Sequence, residues 1–277
     1  MIGVIIAGVA QFFAEISTSI GKYEVAHKRQ SFYAFGFLNA FWATVFLIAI
    51  ALVRGEFVFD LASLPTFALR AVLEIILMFV SLRAVITADR STFAFMRVLT
   101  IPLLLGADLA LGYTISTAQF AGIAVILVAF VFLFTGKGLG RKGRMLSLFS
   151  ATLAAATLTL YKYNIEHYNS VEAEQTILHI LMLVVLLGVA KWHTNERLFP
   201  LLIHPPFLVQ SLFSGIASVL LSYAYLFAPA SIITTSKRVF EILGSIISGQ
   251  ALFREKHLAI KLCAFVLISF GVVLLIW

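Results

Sequence analysis

Several charged side chains lie within long apolar stretches of this sequence, and they are the residues with the most chemistry to offer. They are Glu15, Arg97, Lys237, Arg238 and Glu241. An ionised side chain at the centre of a bilayer costs about 2.5–3.5 kcal/mol on insertion scales. A carboxylate in such a place can exchange a proton or bind a cation, and an Arg or Lys can attract a carboxylate or phosphate group. We therefore take these five residues as the candidate pathway for a solute or a proton.

Helical spacing adds two polar residues to this set. Gln11 and Glu15 are four residues apart and, with Lys22, form a polar stripe along the first predicted helix. Tyr161 belongs to a milder polar stripe in the sixth predicted helix. Asp108 lies near the end of its helix, where we expect it to be solvated.

The charged candidates also have structural interpretations. Glu15 is either a pathway residue or one half of a buried ion pair. Lys237 and Glu241 are four residues apart, so they either line a cavity or neutralise each other within one helix. Arg70 and Glu74 have the same spacing, and for them we favour the local pair.

Motifs for other chemistry are missing from the sequence. It contains no GxxxxGK[ST] nucleotide loop, no HExxH pair and no GxSxG elbow. Its one cysteine, Cys263, excludes an intrachain disulfide and a cysteine metal cluster, and its six histidines are dispersed. We therefore predict no enzyme activity, no catalytic residues, no cofactor and no metal site.

The composition indicates which kind of element must hold the charged residues. The chain has 277 residues, of which 61% are hydrophobic and only 12% are charged, and its mean hydropathy is +1.04. A soluble domain of this size needs more charge to cover its surface. The formal net charge of +7 does not indicate nucleic-acid binding, because the basic residues are scattered. The expected environment is a lipid bilayer.

Ten apolar stretches are each about long enough to cross the bilayer as a helix, which needs roughly 20 residues. Strands are not expected, because the stretches are about twice the length of a barrel strand and do not alternate. We place the helices near 2–22, 31–53, 66–86, 91–111, 115–135, 145–164, 173–191, 207–227, 231–253 and 257–277. The sequence thus predicts an all-α membrane protein with ten transmembrane helices.

Basic residues are distributed unevenly between the connecting loops. The odd-numbered loops and their borders hold eleven Lys or Arg residues, whereas the even-numbered loops hold two, Arg54 and Arg70. The positive-inside rule then places the odd-numbered loops in the cytoplasm and both termini outside an inner or plasma membrane.

The two halves of the chain resemble each other at a shift of 140 residues. This shift aligns Arg97 with Lys237, and Lys22-Tyr23 with Lys162-Tyr163. Five helices are an odd number, so the second copy would enter the membrane from the opposite side, as in inverted-repeat transporters. We predict one repeat over 1–135, a basic glycine-rich linker over 136–144, and a second repeat over 145–277.

The end of the chain carries a family resemblance. Residues 249–256 (GQALFREK), followed by 271–275 (GVVLL), resemble the short acidic link and last helix of EamA-like members of the drug/metabolite transporter superfamily. Helix count, halving and length extend this resemblance to the whole chain. The first half departs from the pattern, because Gly112-Tyr113 stands where the acidic link is expected, and the second half has no proline matching Pro102. Residues 14–19 (AEISTS) also resemble the first helix of small multidrug resistance proteins, in which a glutamate binds protons and cationic drugs in competition.

The resemblance implies a secondary active transporter, and it favours export. We expect a small metabolite, amino-acid-like or drug-like solute to cross by alternating access, with protons as one source of energy and Glu15 as the leading proton site. The expected partners are this solute, the lipid bilayer and protons, but no nucleic acid, and the protein is expected to be a monomer or homodimer. The alternative is a non-transporting membrane protein that handles lipids or assists assembly.

Overall fold

The structure is a computed structural model that describes residues 2–110, 116–135, 138–194 and 196–276. The described residues form α-helices and two short 3₁₀ turns, Leu61–Ser63 and Phe199–Ile203, and contain no strand. The helices are α1 (Ile2–Ala26), α2 (Phe32–Arg54), α3 (Leu64–Thr87), α4 (Arg90–Arg97), α5 (Thr100–Ala110), α6 (Thr117–Thr135), α7 (Arg144–His167), α8 (Val171–His193), α9 (Pro205–Ala224), α10 (Ala230–Phe253) and α11 (Leu258–Ile276).

Each of the ten predicted stretches is helical over most of its described residues, so the all-α prediction is confirmed there. Several observed helices extend a few residues beyond the predicted ends, because caps rather than hydropathy set their limits. The side chain of Ser31, for example, accepts a hydrogen bond from the backbone N–H of Ala34 at the start of α2. Residues 111, 115 and 277 of the predicted stretches, the Gly112-Tyr113 link, and residues 136 and 137 of the predicted linker lie outside the described residues.

The fourth predicted stretch is interrupted and forms two helices, α4 and α5. The interruption at Val98 and Leu99 lies within one turn of Pro102. A proline has no backbone N–H to donate, and its ring collides with the carbonyl one turn earlier. The N–H of Leu99 instead reaches the carbonyl of Met96 at 3.3 Å, in a tighter turn. The proline is therefore accompanied by a short break between α4 and α5, and Arg97 lies at the edge of that break.

Six of the described helical segments are long and apolar enough to cross a membrane. They are α1, α2, the α4–α5 segment, α7, α8 and α9. Shorter apolar helices cover 120–133 and 258–274. The chain is therefore a helical protein with the character of a membrane-spanning one.

The two chain halves interleave in the bundle. Helix α1 packs on α9 and α10, α7 packs on α3, α4 and α5, and α6 packs on α11. Glycines allow the closest approaches. A Cβ on Gly215 of α9, for example, would lie only 2.8 Å from the backbone carbonyl carbon of Trp42 on α2.

Hydrogen bonds that join loops identify the two ends of the bundle. The N–H of Gly140 donates to Thr92 at 2.8 Å, which joins the fifth loop to the start of α4 after the third loop. The N–H of Asp60 donates to Asn169 at 2.9 Å, which joins the second loop to the sixth. We call these the odd end and the even end of the bundle.

Helix limits repeat at the 140-residue shift. Adding 140 to the limits of α1 gives 142–166, and α7 occupies Arg144–His167. Adding 140 to the limits of α6 gives 257–275, and α11 occupies Leu258–Ile276.

Two lysines that correspond at this shift make the same kind of contact. Lys22 donates to the carbonyl of Ala88, just after the end of α3. Lys162 donates to the carbonyl of Tyr225, just after the end of α9, at 2.7 Å. Both cations therefore interact with the negative end of a helix.

Candidate functional site

A cavity of about 180 Å³ lies between the two halves of the chain. We call it the central cavity. Helices α3 and α4 of the first half and α7, α8, α9 and α10 of the second half supply its walls. Its polar lining includes Arg70, Glu74, Arg97, Tyr161, His179 and Lys237.

Two candidate cations, Arg97 and Lys237, meet in this cavity although they are 140 residues apart. Arg97 is the last residue of α4, and Lys237 is the eighth residue of α10. Among the described residues, neither has an ion pair or a side-chain hydrogen bond. The Arg97 guanidinium lies over the Phe93 ring, 5.3 Å from its centroid. The pair thus presents two positive charges to the interior of the bundle, and no described residue holds either of them in an ion pair.

Neutral polar groups of the central cavity already have partners. Tyr161 donates its hydroxyl to the carbonyl of Ser222 at 2.9 Å. The His179 ring nitrogens lie 2.8 Å from the carbonyl of Gln175 and 3.2 Å from the hydroxyl of Ser218. His179 is therefore a satisfied buried histidine.

The candidates Arg238 and Glu241 bind each other. The Arg238 guanidinium donates to the Glu241 carboxylate and, at 3.0 Å, to the hydroxyl of Thr100. Of the two interpretations of Lys237 and Glu241, the local pair is not formed, because Arg238, three residues before Glu241, binds the carboxylate instead. This leaves Lys237 free to face the central cavity.

Glu15 does not line the central cavity. Its Oε1 accepts from Arg90 and from Ser248, both at 2.7 Å, and from Ser19 at 3.2 Å, whereas its Oε2 is buried without a partner among the described residues. Glu15 therefore forms the buried pair that was the alternative interpretation. Gln11, one turn earlier, is buried, and its Oε1 has no partner in the described part of the chain.

Beside Glu15 lies a largely apolar groove of about 660 Å³, which we call the lateral groove. Helices α1 and α10 form most of its walls. Phe12 and Ile247 border it and are strongly exposed. If these helices span a bilayer, the groove opens toward hydrocarbon.

A hydrogen-bonded cluster around Glu174 joins helices at the even end. Arg70 of α3 donates to Glu174 of α8 at 2.7 Å, and both side chains are buried. Asn164 and Asn169 donate to the same carboxylate at 2.8 and 2.5 Å. The predicted local pair of Arg70 with Glu74 is therefore wrong: a buried guanidinium is bound across the bundle by a carboxylate with further hydrogen bonds.

A second cluster forms around Glu255 at the odd end. Its carboxylate accepts from the backbone N–H of Arg90 at 2.5 Å, from Ser91, and from Lys261 at 2.9 Å. Burial alone would raise the pKa of Glu255. The hydrogen bonds from Ser91 and Lys261 outweigh burial, however, and hold this pKa below its ordinary value of 4.5. An ionised carboxylate therefore caps the positive N-terminal end of α4.

Sequence reasoning assigned Glu74 to Arg70 and so excluded it from the site. Its position near the middle of α3 is the signal that could have included it. Arg90 was not among the candidate residues, although it binds Glu15. Asp108, expected to be solvated, is instead buried, with 6% of its surface exposed.

Comparison with known proteins shows a shared fold. No model of a known protein family matches the chain, and no curated protein matches it. Twenty-five chains of solved structures do match. One of them, called "Crystal structure of protein", is similar over 97% of this chain and 95% of that chain, with a TM-score of 0.67 and 14% sequence identity. At this identity the similarity establishes the fold alone.

Proposed function

We propose that this protein is a secondary transporter that carries a small solute with an anionic group by alternating access. One observation carries the proposal: Arg97 and Lys237 meet in the central cavity without an ion pair among the described residues. Charged side chains within membrane-spanning helices are costly unless an opposite charge pairs with them, and a bound anion would do so here. A carboxylate or phosphate group is the natural ligand for an Arg and a Lys together.

The size of the central cavity favours a small metabolite over a drug-like solute. Its volume is about 180 Å³, whereas sites for drug-sized ligands span about 300–1,000 Å³. An amino-acid-like solute fits this volume better than an extended aromatic one.

The proposed mechanism uses the two halves of the chain, 1–135 and 145–277, as inverted repeats of five helices each. Arg97 comes from one half and Lys237 from the other, so rocking the halves would expose both to one face and then to the other. In this scheme the Glu174 cluster closes the even end and the Glu255 cluster closes the odd end. The positive-inside rule makes the odd end cytoplasmic in an inner or plasma membrane, and the family resemblance favours export.

Proton coupling in this scheme uses Glu15. A proton replaces Arg90 as the partner of its carboxylate, which loosens the contact between α1 and the start of α4. The Glu15→Gln variant then loses pH-gradient-driven flux but keeps solute exchange.

The experiment combines binding with transport. A thermal-shift screen of small carboxylates and phosphates on the purified chain selects a ligand, and exchange of that ligand is then measured in proteoliposomes. We expect Arg97→Met and Lys237→Met each to reduce binding by at least about 10-fold, because each removes a charge-assisted contact of about 1.5–3 kcal/mol.

The matched control is Arg83→Met, which removes an exposed cation of α3 and is expected to bind and exchange like the wild type. The proposal is wrong if Arg97→Met and Lys237→Met also behave like the wild type, or if no anion stabilises the protein.

A second candidate function is lipid handling without transport of a soluble solute. The lateral groove favours it, since it is apolar, lies between α1 and α10, and is larger than the central cavity. In that case the central cavity would stay closed to water from both faces.

A further inference from the structure

Glu74 is the one charged group of the central cavity that neither the sequence nor the proposed function uses. It is the eleventh residue of α3, about 15 Å along the helix from Leu64 at 1.5 Å per residue. Its side chain lines the central cavity. Among the described residues it has no ion pair and no hydrogen bond.

The groups that might have bound Glu74 are engaged elsewhere. Arg70, one turn earlier, donates to Glu174 and Gln175 on α8. Tyr161 and His179, which also line the cavity, have the partners described above. The carboxylate therefore shares the cavity with the two cations Arg97 and Lys237, and no described residue holds it in an ion pair.

These three charges set a requirement for the ligand. A solute with only an anionic group would satisfy the two cations but would place a second negative charge near Glu74 and leave that carboxylate without a donor. A solute that also carries an ammonium group would satisfy all three. Sites that hold a buried polar group reject analogues that leave it unpaired.

We propose that Glu74 is a specificity-determining residue that binds the ammonium group of a small zwitterionic solute whose anionic group lies at Arg97 and Lys237. This inference rests on the proposed function and adds to it the second charged group of the substrate. It assigns Glu74 to solute recognition in place of the local pair with Arg70.

The test compares ligands that differ only in the ammonium group. The probes are linear ω-amino acids from glycine to 6-aminohexanoate, small α-amino acids, and the carboxylates that match each of them without the amino group. Binding is measured by thermal shift and by competition on the full chain in nanodiscs. For the wild type we expect at least one zwitterion to bind about 10-fold or more tightly than its matched carboxylate.

The variants separate recognition from folding. Glu74→Gln is expected to reduce this preference to less than about 3-fold while carboxylate binding is kept or improved, because the repelling charge is gone. Glu74→Asp keeps the charge and is expected to retain the preference. The control Glu166→Gln changes a carboxylate that is paired with Lys162 near the end of α7, and it should leave the preference unchanged.

The outcomes distinguish the two proposals. Carboxylates that bind through Arg97 with no preference for zwitterions overturn this inference but leave the proposed function intact. A zwitterion preference that persists in Glu74→Gln also overturns it, as does an equal weakening of both ligand classes, which indicates a structural role. If neither class binds the wild type, this inference is wrong, and the proposed function is wrong as well if the phosphates of its own screen do not bind either.

Discussion

The charged residues inside the bundle fall into two groups. Glu15 with Arg90, Arg70 with Glu174, and Arg238 with Glu241 form buried pairs between or within helices. Glu74, Arg97 and Lys237 line the central cavity without such a partner in the described part of the chain. The first group holds helices together, whereas the second remains available to a ligand.

The pair of Arg70 with Glu174 gives a prediction for stability. Arg70→Met leaves a buried carboxylate without its cation, and we expect a loss of about 3–5 kcal/mol in the free energy of unfolding. The double variant with Glu174→Leu should be less destabilised than Arg70→Met, because it removes the unpaired charge as well. Denaturant titration in mixed micelles measures both.

A matched surface pair provides the control for this prediction. Arg54 binds Glu56 with 45% and 55% of the two side chains exposed, so Glu56→Gln should leave the free energy of unfolding almost unchanged. Equal effects of Glu56→Gln and Arg70→Met would contradict the assignment of the Glu174 cluster as a structural junction.

The candidate site could be predicted from the sequence only in part. The 140-residue shift placed Arg97 opposite Lys237, because the same local pattern recurs in both halves. The partners of Glu15 and Arg70 could not be predicted, since they are 75 and 104 residues away along the chain. Helical spacing favoured partners four residues away, and tertiary packing supplied better ones.

Among the elements, α4 is the shortest α-helix of the described chain, and its two ends differ. The backbone N–H of Arg90 at its start donates to the carboxylate of Glu255, whereas its end at Arg97 is followed by the break before Pro102. Hydropathy predicted where the helices lie because bilayer-length apolar runs are a strong signal. It could not predict the cap on α4, which comes from a residue 165 positions away.

This cap predicts a pH dependence of stability. The pKa of Glu255 is lower in the folded protein than its ordinary value of 4.5, so its ionised form stabilises the fold above that pH. The stabilisation is lost as the pH falls from 4.5 through the lower folded-state pKa. We expect Glu255→Gln to lower the melting temperature at pH 7. Below pH 4.5 the difference in melting temperature between this variant and the wild type should become smaller.

The control for this measurement is Glu166→Gln, which alters a half-exposed carboxylate and should show no comparable narrowing. A gap between Glu255→Gln and the wild type that stays constant from pH 7 to pH 3.5 would contradict the role of the ionised carboxylate.

In the whole molecule, corresponding contacts recur at the 140-residue shift. Tyr23 and His27 have ring centroids 4.1 Å apart at the end of α1, and Tyr163 and His167 have centroids 4.4 Å apart at the end of α7. This recurrence supports the inverted-repeat mechanism that we propose, because equivalent contacts at opposite ends can exchange roles when the halves rock.

For the whole molecule, alternating access predicts that the central cavity can be reached from both faces of the membrane. In a Cys263→Ser background, which removes the exposed native thiol, a cysteine replacing Ser218 of the central cavity should react with an impermeant thiol reagent added from either face. A cysteine replacing the buried Ser245 should not react. Labelling of the Ser218 position from neither face would contradict alternating access and favour lipid handling.

The twin lysine contacts at Ala88 and Tyr225 have a consequence for splitting the chain. Each anchor involves only residues of its own half, Lys22 with Ala88 and Lys162 with Tyr225. Cutting the chain between the halves therefore breaks neither anchor, and separate co-expression of residues 1–135 and 136–277 should still yield a complex.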